Sequence, residues 1–146
     1  MARMIFVNLP VDDLERSMRF YAAVGARNEP KFTNEAAAMM VFSDTISVML
    51  LTKPFYATFT PKPIADAHAS SQVLLCLSAD STADVDALVD KAAAAGGKAD
   101  PGPRQEMGGM MYGRSCEDPD GHHWEVMWMD PAAAEQGAAA FEQQSA

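Results

Sequence analysis

The chain has little that would staple it, anchor it in a membrane or hold it to a polyanion. Only two cysteines, Cys76 and Cys116, occur in 146 residues. That is too few for a disulfide framework, and both stand in strand-like contexts. They read as free thiols, as expected of a protein in the reducing cytoplasm. No apolar run approaches the ~18 residues that a membrane-spanning helix needs. The opening Met-Ala-Arg-Met-Ile-Phe-Val-Asn goes straight into a strand pattern and lacks the build of a signal peptide. Basic residues are scarce: 11 Lys and Arg stand against 20 Asp and Glu, a formal net charge of −9. This balance disfavours nucleic acid and anionic membrane as partners.

What is present suits one domain of ordinary size, with 49 % hydrophobic residues and enough length to bury a core. Eleven methionines are many for this length. Met fills irregular gaps in cores and lines adaptable pockets, and core filler is the plainer reading for most of them.

Taken in order, Met4 to Leu9 is a β-branched and aromatic run stopped by Pro10. Asp12 or Asp13 caps a helix that reaches about Val24, with Leu14, Met18, Tyr21 and Ala22 at helical spacing and Gly25 as its stop. Arg27 to Phe32, Ala36 to Phe42 and Ile46 to Thr52 read as strands. Lys53 to Ser71 has no clean period. It holds Pro54, Pro61 and Pro63 with Phe55, Tyr56 and Phe59 among them, and reads as a long connection with one helical turn at Ile64 to His68. Connections this long inside a domain are usually functional or flexible, and the aromatics suggest a segment that covers a pocket. Gln72 to Ser78 is the next strand. Ser81 and Asp84 form a capping box for a helix carrying Val85, Leu88, Val89 and Ala92, closed by Gly96-Gly97. A weak edge strand at Ala99 to Arg104 and a Met/Tyr strand at Gly108 to Cys116 follow. Asp118-Pro119-Asp120-Gly121 is a tight turn, and His123 to Met129 a strand behind it. Asp130-Pro131 suits the start of a helix in the tail, where Phe141 is the only large apolar residue.

The order β-α-β-β-β thus occurs twice. Gly25 and Gly96 end the helices at equivalent points, and Ser43-Asp44 and Pro119-Asp120 precede equivalent strands. The expected class is α+β: two βαβββ modules in one chain, forming a curved mixed sheet with helices on the outer face and a concave groove on the other. Residues 1–130 form a single domain, with module one at about 3–53, a connection at 54–71 and module two at about 72–130. Residues 131–146 are a tail or short helix.

Two motifs carry a resemblance. The opening Phe6-Val7-Asn8-Leu9-Pro10-Val11-x-Asp13-Leu14-Glu15-Arg16-Ser17-x-x-Phe20-Tyr21 and the closing Asp118-Pro119-Asp120-Gly121-His122-His123-Trp124-Glu125 resemble the vicinal oxygen chelate superfamily. That group holds lactoylglutathione lyases (glyoxalase I), extradiol dioxygenases and bleomycin-resistance proteins. Its metal-using members take two ligands from each module, commonly His or Gln, Glu, His and Glu. The resemblance implies such positions at Phe6 (Asn8 if the register slips), Met49, Leu74 (Val73 on a slip) and Glu125. Only Glu125 is a ligand type. One carboxylate does not hold Zn²⁺ or Ni²⁺, so the expectation is no metal cofactor, with a divalent metal the alternative.

Glu125 lies mid-strand among apolar residues, and a carboxylate there faces either solvent or a cavity. His123 shares its face, ~7 Å away along a strand, and either residue is a candidate general base. A site of Asn8, Cys76, His123 and Glu125 is conceivable. The plainer alternative makes His123 a rim residue and Cys76 a small core hydrophobe. Tyr112 and Arg114 share one face of their strand. If it is the groove face, Arg114 either pairs with Glu125 or holds an anionic ligand. The candidate pocket is therefore Phe6, Asn8, Met49, Leu74, Cys76, Tyr112 and Arg114, with Glu125 and His123 as catalytic candidates. Trp124 and Trp128 are expected under the second helix, His122 turned away from Glu125, and His68 solvated. Three functions remain open: a metal-free glyoxalase-like small-molecule protein, a metal-dependent lyase or dioxygenase, and a non-enzymatic sequestering protein. The resemblance also implies a homodimer.

Overall fold

Apolar alternation sets the first sheet. In β1 (Ile5–Val11), Val7, Leu9 and Val11 turn to one side and Phe6 and Asn8 to the other. A parallel partner for β1 needs a crossover, and α1 (Leu14–Ala23) supplies it. Asp13 caps this helix by accepting from the Arg16 N–H. Phe20 and Tyr21 bury against the sheet. The chain then runs through β2 (Arg27–Glu29), β3 (Ala37–Val41) and β4 (Ile46–Thr52), giving strand order β1-β4-β3-β2 with β1 and β4 parallel. The strand expected at 27–32 ends at Glu29, because Pro30 opens a 3₁₀ turn.

The computed structural model describes residues 2–137. The connection begins with a short helix, α2 (Lys53–Tyr56), with Pro54 in its first turn, where a missing N–H costs nothing, and the single turn expected at 64–68 falls at Asp66 to Ser70, where the Asp66 carbonyl accepts from the Ala69 and Ser70 N–H groups. The second module comprises β5 (Leu75–Ser78), α3 (Thr82–Ala94), β6 (Lys98–Ala99), β7 (Gln105–Met107), β8 (Met111–Glu117) and β9 (His123–Met129). Its order is β5-β9-β8-β6, with β7 also on β8. The second strand of the repeat is therefore split, since Pro101 and Pro103 cannot extend a ladder. Gly108 and Gly109 form the β7–β8 turn with positive φ. α4 (Pro131–Gln136) is capped by Asp130, which accepts from the Ala132 N–H. Phe141 lies outside the described residues.

Both helices cover the same side, and one core runs through the two modules. Ser81 caps α3 through the Asp84 N–H. Val85 and Val89 are fully buried, about 1.5–3 kcal/mol each by transfer reasoning. Trp124 is not simply packed under α3. Its ring meets Tyr21 and Phe42 of module one edge-on or tilted, and its Nε1 donates to the Tyr21 hydroxyl at 3.0 Å. Gly97 lies where a Cβ would come within 2.2 Å of the Glu117 carbonyl and 2.6 Å of the Phe20 ring, so no side chain fits there. Among the described residues no helix is long and apolar enough to cross a membrane. Both cysteines are free thiols.

The modules are tied by the Asp118 turn. Asp118 is 2 % exposed. Its Oδ2 accepts from the Tyr21 hydroxyl at 2.7 Å, and its Oδ1 from the backbone N–H groups of Asp120 and His122 at 2.9 Å. Asp120 accepts from the Asp12 N–H and the Ser17 hydroxyl. His122 Nε2 donates to the Pro10 carbonyl at 2.8 Å. Burial pushes the Asp118 carboxyl above the usual carboxylate range, while His122 and the Tyr21 hydroxyl pull it back. Tyr21→Phe removes one donor from this buried carboxylate. It is expected to cost about 2 kcal/mol, seen in urea as a lower midpoint with unchanged slope. An unchanged midpoint would show that the hydroxyl does not join the modules energetically.

Candidate functional site

The β8–β9 and β5–β9 registers bring Glu125 abreast of Ser115 on one side and Cys76 on the other. All three lie on the sheet face away from the helices. Two residues earlier, His123 is on the same face, and its Nε2 lies 2.9 Å from Glu125 Oε1. A carboxylate only accepts, so Nε2 carries the proton and the Nδ1 lone pair is free. Glu125 thus has a partner, and the partner is His123. The pair is half-buried, with side-chain exposures of 22 % and 31 %.

Arg114 does not reach Glu125. It and Tyr112 lie on the opposite face of β8, toward α3, and neither lines the groove. The Arg114 side chain is 7 % exposed and grips Asp100 with two hydrogen bonds and Asp86 with one. The Tyr112 hydroxyl donates to Asp86 at 2.7 Å. Alternation along β8 decides this: Gly113, Ser115 and Glu117 take the groove face, and Tyr112, Arg114 and Cys116 the other. Tyr112 and then Arg114 hold Asp86 below the usual carboxylate range, and Arg114 does the same for Asp100. Lowered values of this kind stabilise the fold above the ordinary carboxylate range and lose that contribution as pH falls through them. Cys116, buried beside them, has its thiol pushed up to about 12.

The remaining expected residues divide. In β1 and β4, Asn8 stands opposite Met49, as Cys76 stands opposite Glu125. By this register the paired positions are Asn8 and Met49 in module one, and Cys76 and Glu125 in module two. Phe6 lies one step along the same face, exposed at the sheet edge. Leu74 precedes β5 and is exposed. The donor chemistry does not fit a divalent ion. Met49 is a thioether, Asn8 offers only a neutral amide oxygen, and burial with Glu125 nearby pushes the Cys76 thiol up. Among the described residues no group of three His, Cys, Asp or Glu side chains converges as a metal site would.

A cleft of about 400 Å³ opens beside this face, between β1, the start of β5 and the Asp118 turn. Of the expected residues, Asn8 and His123 line it. The connection forms its roof from Ile64 to Val73, with Tyr56 of α2 at one side. His68, His122 and His123, the three histidines of the chain, all contribute to its wall. His68, Tyr56, Gln72, Glu117 and His122 were not among the expected site residues. Their signal was the Pro- and aromatic-rich connection itself, which marks a cover without marking which side chains point inward. Gly121 lets that cover close. A Cβ there would stand 2.7 Å from the His68 nitrogen and 2.9 Å from Ala67, and the backbone has φ +89°.

A family model described as the Glyoxalase/Bleomycin resistance protein/Dioxygenase superfamily matches residues 3–126. Among solved structures, hypothetical protein SA1046 from S. aureus shares 25 % identity with a TM-score of 0.72, over 88 % of this chain and 94 % of its own. A glyoxalase-related enzyme from Fulvimarina pelagi shares 20 % identity at TM-score 0.72, over 88 % of each chain. Fosfomycin resistance protein FosX from Mesorhizobium loti shares 19 % at TM-score 0.61, over 92 % of this chain and 96 % of its own. The likenesses below 25 % identity show the fold. No functionally curated protein matches the chain.

The tautomer assigned to His123 is open to direct measurement. Nitrogen-15 NMR of the wild type is expected to show a bare, pyridine-type Nδ1, and Glu125→Ala a mixture of tautomers. A protonated Nδ1 in neutral wild-type His123 would contradict the pairing with Glu125.

Proposed function

The chain belongs to the glyoxalase/bleomycin resistance protein/dioxygenase superfamily, and from that premise we propose that it binds a small organic molecule in the cleft roofed by the connection, without a divalent metal. The observation that carries this reading is the join of cleft and dyad: His123 lines the cleft while its Nε2 is held by Glu125. Ligand pockets are concave, mostly apolar and furnished with a few fixed polar groups, and Leu9, Ile64, Val73 and Leu75 with Asn8 and His123 fit that description.

If a reaction follows binding, His123 is its general base. The oriented Nδ1 accepts a proton from the ligand, and Glu125 stabilises the imidazolium that forms. The same groups serve a sequestering protein that binds and does not turn over. The donor set speaks against the metal-dependent lyase or dioxygenase reading. Exposed Ile5, Phe6, Val73 and Leu74 on the edge strands β1 and β5 and just before β5 support a homodimer.

Three measurements test this. After loading with Ni²⁺, Zn²⁺, Fe²⁺ or Mn²⁺ and dialysis, wild type and Glu125→Ala are both expected to retain no stoichiometric metal, and a fragment screen by NMR is expected to move the ring signals of His68, His122 and His123 together. Metal held by the wild type and lost in the variant would overturn the metal-free reading, and fragments perturbing only distant residues would overturn the cleft. Light scattering is expected to give twice the chain mass; a species of 15.7 kDa would rule out the dimer.

A further inference from the structure

Among the described residues that line the cleft, Glu117 alone carries a formal charge, and none is a lysine or arginine. Two bases in the vicinity are engaged elsewhere: Lys53 Nζ lies 2.6 Å from Asp12 Oδ1, and Arg16 Nη2 lies 3.6 Å from Asp120 Oδ1. Lys98 stands opposite Glu117 in the β6–β8 register yet forms no ion pair with it. Among the described residues the Glu117 side chain has no hydrogen-bond or salt-bridge partner. An uncompensated carboxylate beside an apolar cleft creates a negative field in it.

Four of the wall's side-chain donors are already used. His122 donates Nε2–H to the Pro10 carbonyl, and His123 donates Nε2–H to Glu125. Asn8 Nδ2 is spent on the Phe6 carbonyl and Ser70 Oγ on the Asp66 carbonyl. The atoms left over include acceptors, namely the two Nδ1 lone pairs, Asn8 Oδ1 and the Glu117 carboxylate, beside the neutral donors of Tyr56, His68, Ser71 and Gln72. An anionic ligand would find neutral donors there and no counter-charge, with the Glu117 carboxylate opposing it. A ligand that donates hydrogen bonds and carries one positive charge meets complementary atoms.

We propose that the cleft takes an organic amine: a single ammonium group directed at Glu117, on an apolar body that packs against Leu9, Ile64, Val73 and Leu75. This deepens the reading of the cleft as the ligand site and rests on it. The same carboxylate, with no cation in the described wall, disfavours anionic ligands on that body.

The test uses three probes on one aromatic core, 2-naphthylmethylamine, 2-naphthalenemethanol and 2-naphthoic acid, titrated into the full chain by NMR at neutral pH and low salt. The amine is expected to bind several-fold tighter than the alcohol, the acid not at all, and added salt to narrow the gap. Glu117→Gln is expected to bring the amine down to the alcohol and leave the alcohol unchanged. Val73→Trp, a substitution at an exposed position that fills the cleft, is expected to abolish binding of both, with folding checked by thermal melting. Binding of the acid as tight as that of the amine, or an amine preference that survives Glu117→Gln, overturns the ligand class and leaves the cleft as a binding site. Failure of all three probes, or amine binding unchanged in Val73→Trp, overturns the cleft reading together with it.

Discussion

A carboxylate taken out of water must find donors or lose its charge, and Asp118 is the place where this chain meets that demand. Three donors converge on it, two from the turn it belongs to and one from Tyr21 across the module boundary. The turn cannot shift without leaving a buried charge short of a partner, which costs more than an ordinary hydrogen bond returns. Asp120 and His122 extend the same tie to α1 and to the end of β1. Two modules, each with its own sheet, are thereby held as one core, with Trp124 wedged against Tyr21 and Phe42.

The cleft is a by-product of this tie. With the turn fixed against Pro10, β1 and the start of β5 are held with a gap between them, and the connection spans it. Gly121, at the tip of the turn, has both the backbone conformation and the absent Cβ that let Ala67 and His68 come down on it. His123 is the first residue of β9, directly behind the turn, so its position follows from Asp118. Its tautomer follows from Glu125. Geometry and protonation of the one candidate base are therefore set by two carboxylates with different tasks, one structural and buried, one half-exposed beside the ring.

Much of the architecture was legible in the residues. Caps at Asp13, Ser81 and Asp130, the glycines behind each helix and the Asp-Pro-Asp-Gly turn are local chemistry, and local chemistry needs no knowledge of the fold. The doubled β-α-β-β-β order followed from them. What escaped was set by register and by tertiary contact. Alternation places Tyr112 and Arg114 on one face of β8 but does not say which face. Only the packing of α3, with Asp86 at reach, turns them from the groove. Likewise Cys76, two residues after Leu74, is the one that stands opposite Glu125, because β5 begins later than its apolar run suggests. The inward side chains of the connection had no period to betray them, since a roof made of turns repeats nothing.

The positions that the resemblance assigns to metal ligands carry, in this chain, a donor set that does not fit a divalent ion. Met49 and Asn8 in module one, Cys76 in module two: each is uncharged, and each sits in the sheet without demanding a partner. Glu125 is the exception, and a lone carboxylate on that face would repel the ligands such a groove otherwise admits. Its hydrogen bond to His123 gives this carboxylate a partner and orients the imidazole. The free carboxylate of the region is then Glu117, one strand over and inside the cleft. On the proposed reading, an unpaired negative charge on the cleft wall favours a ligand that brings the cation itself.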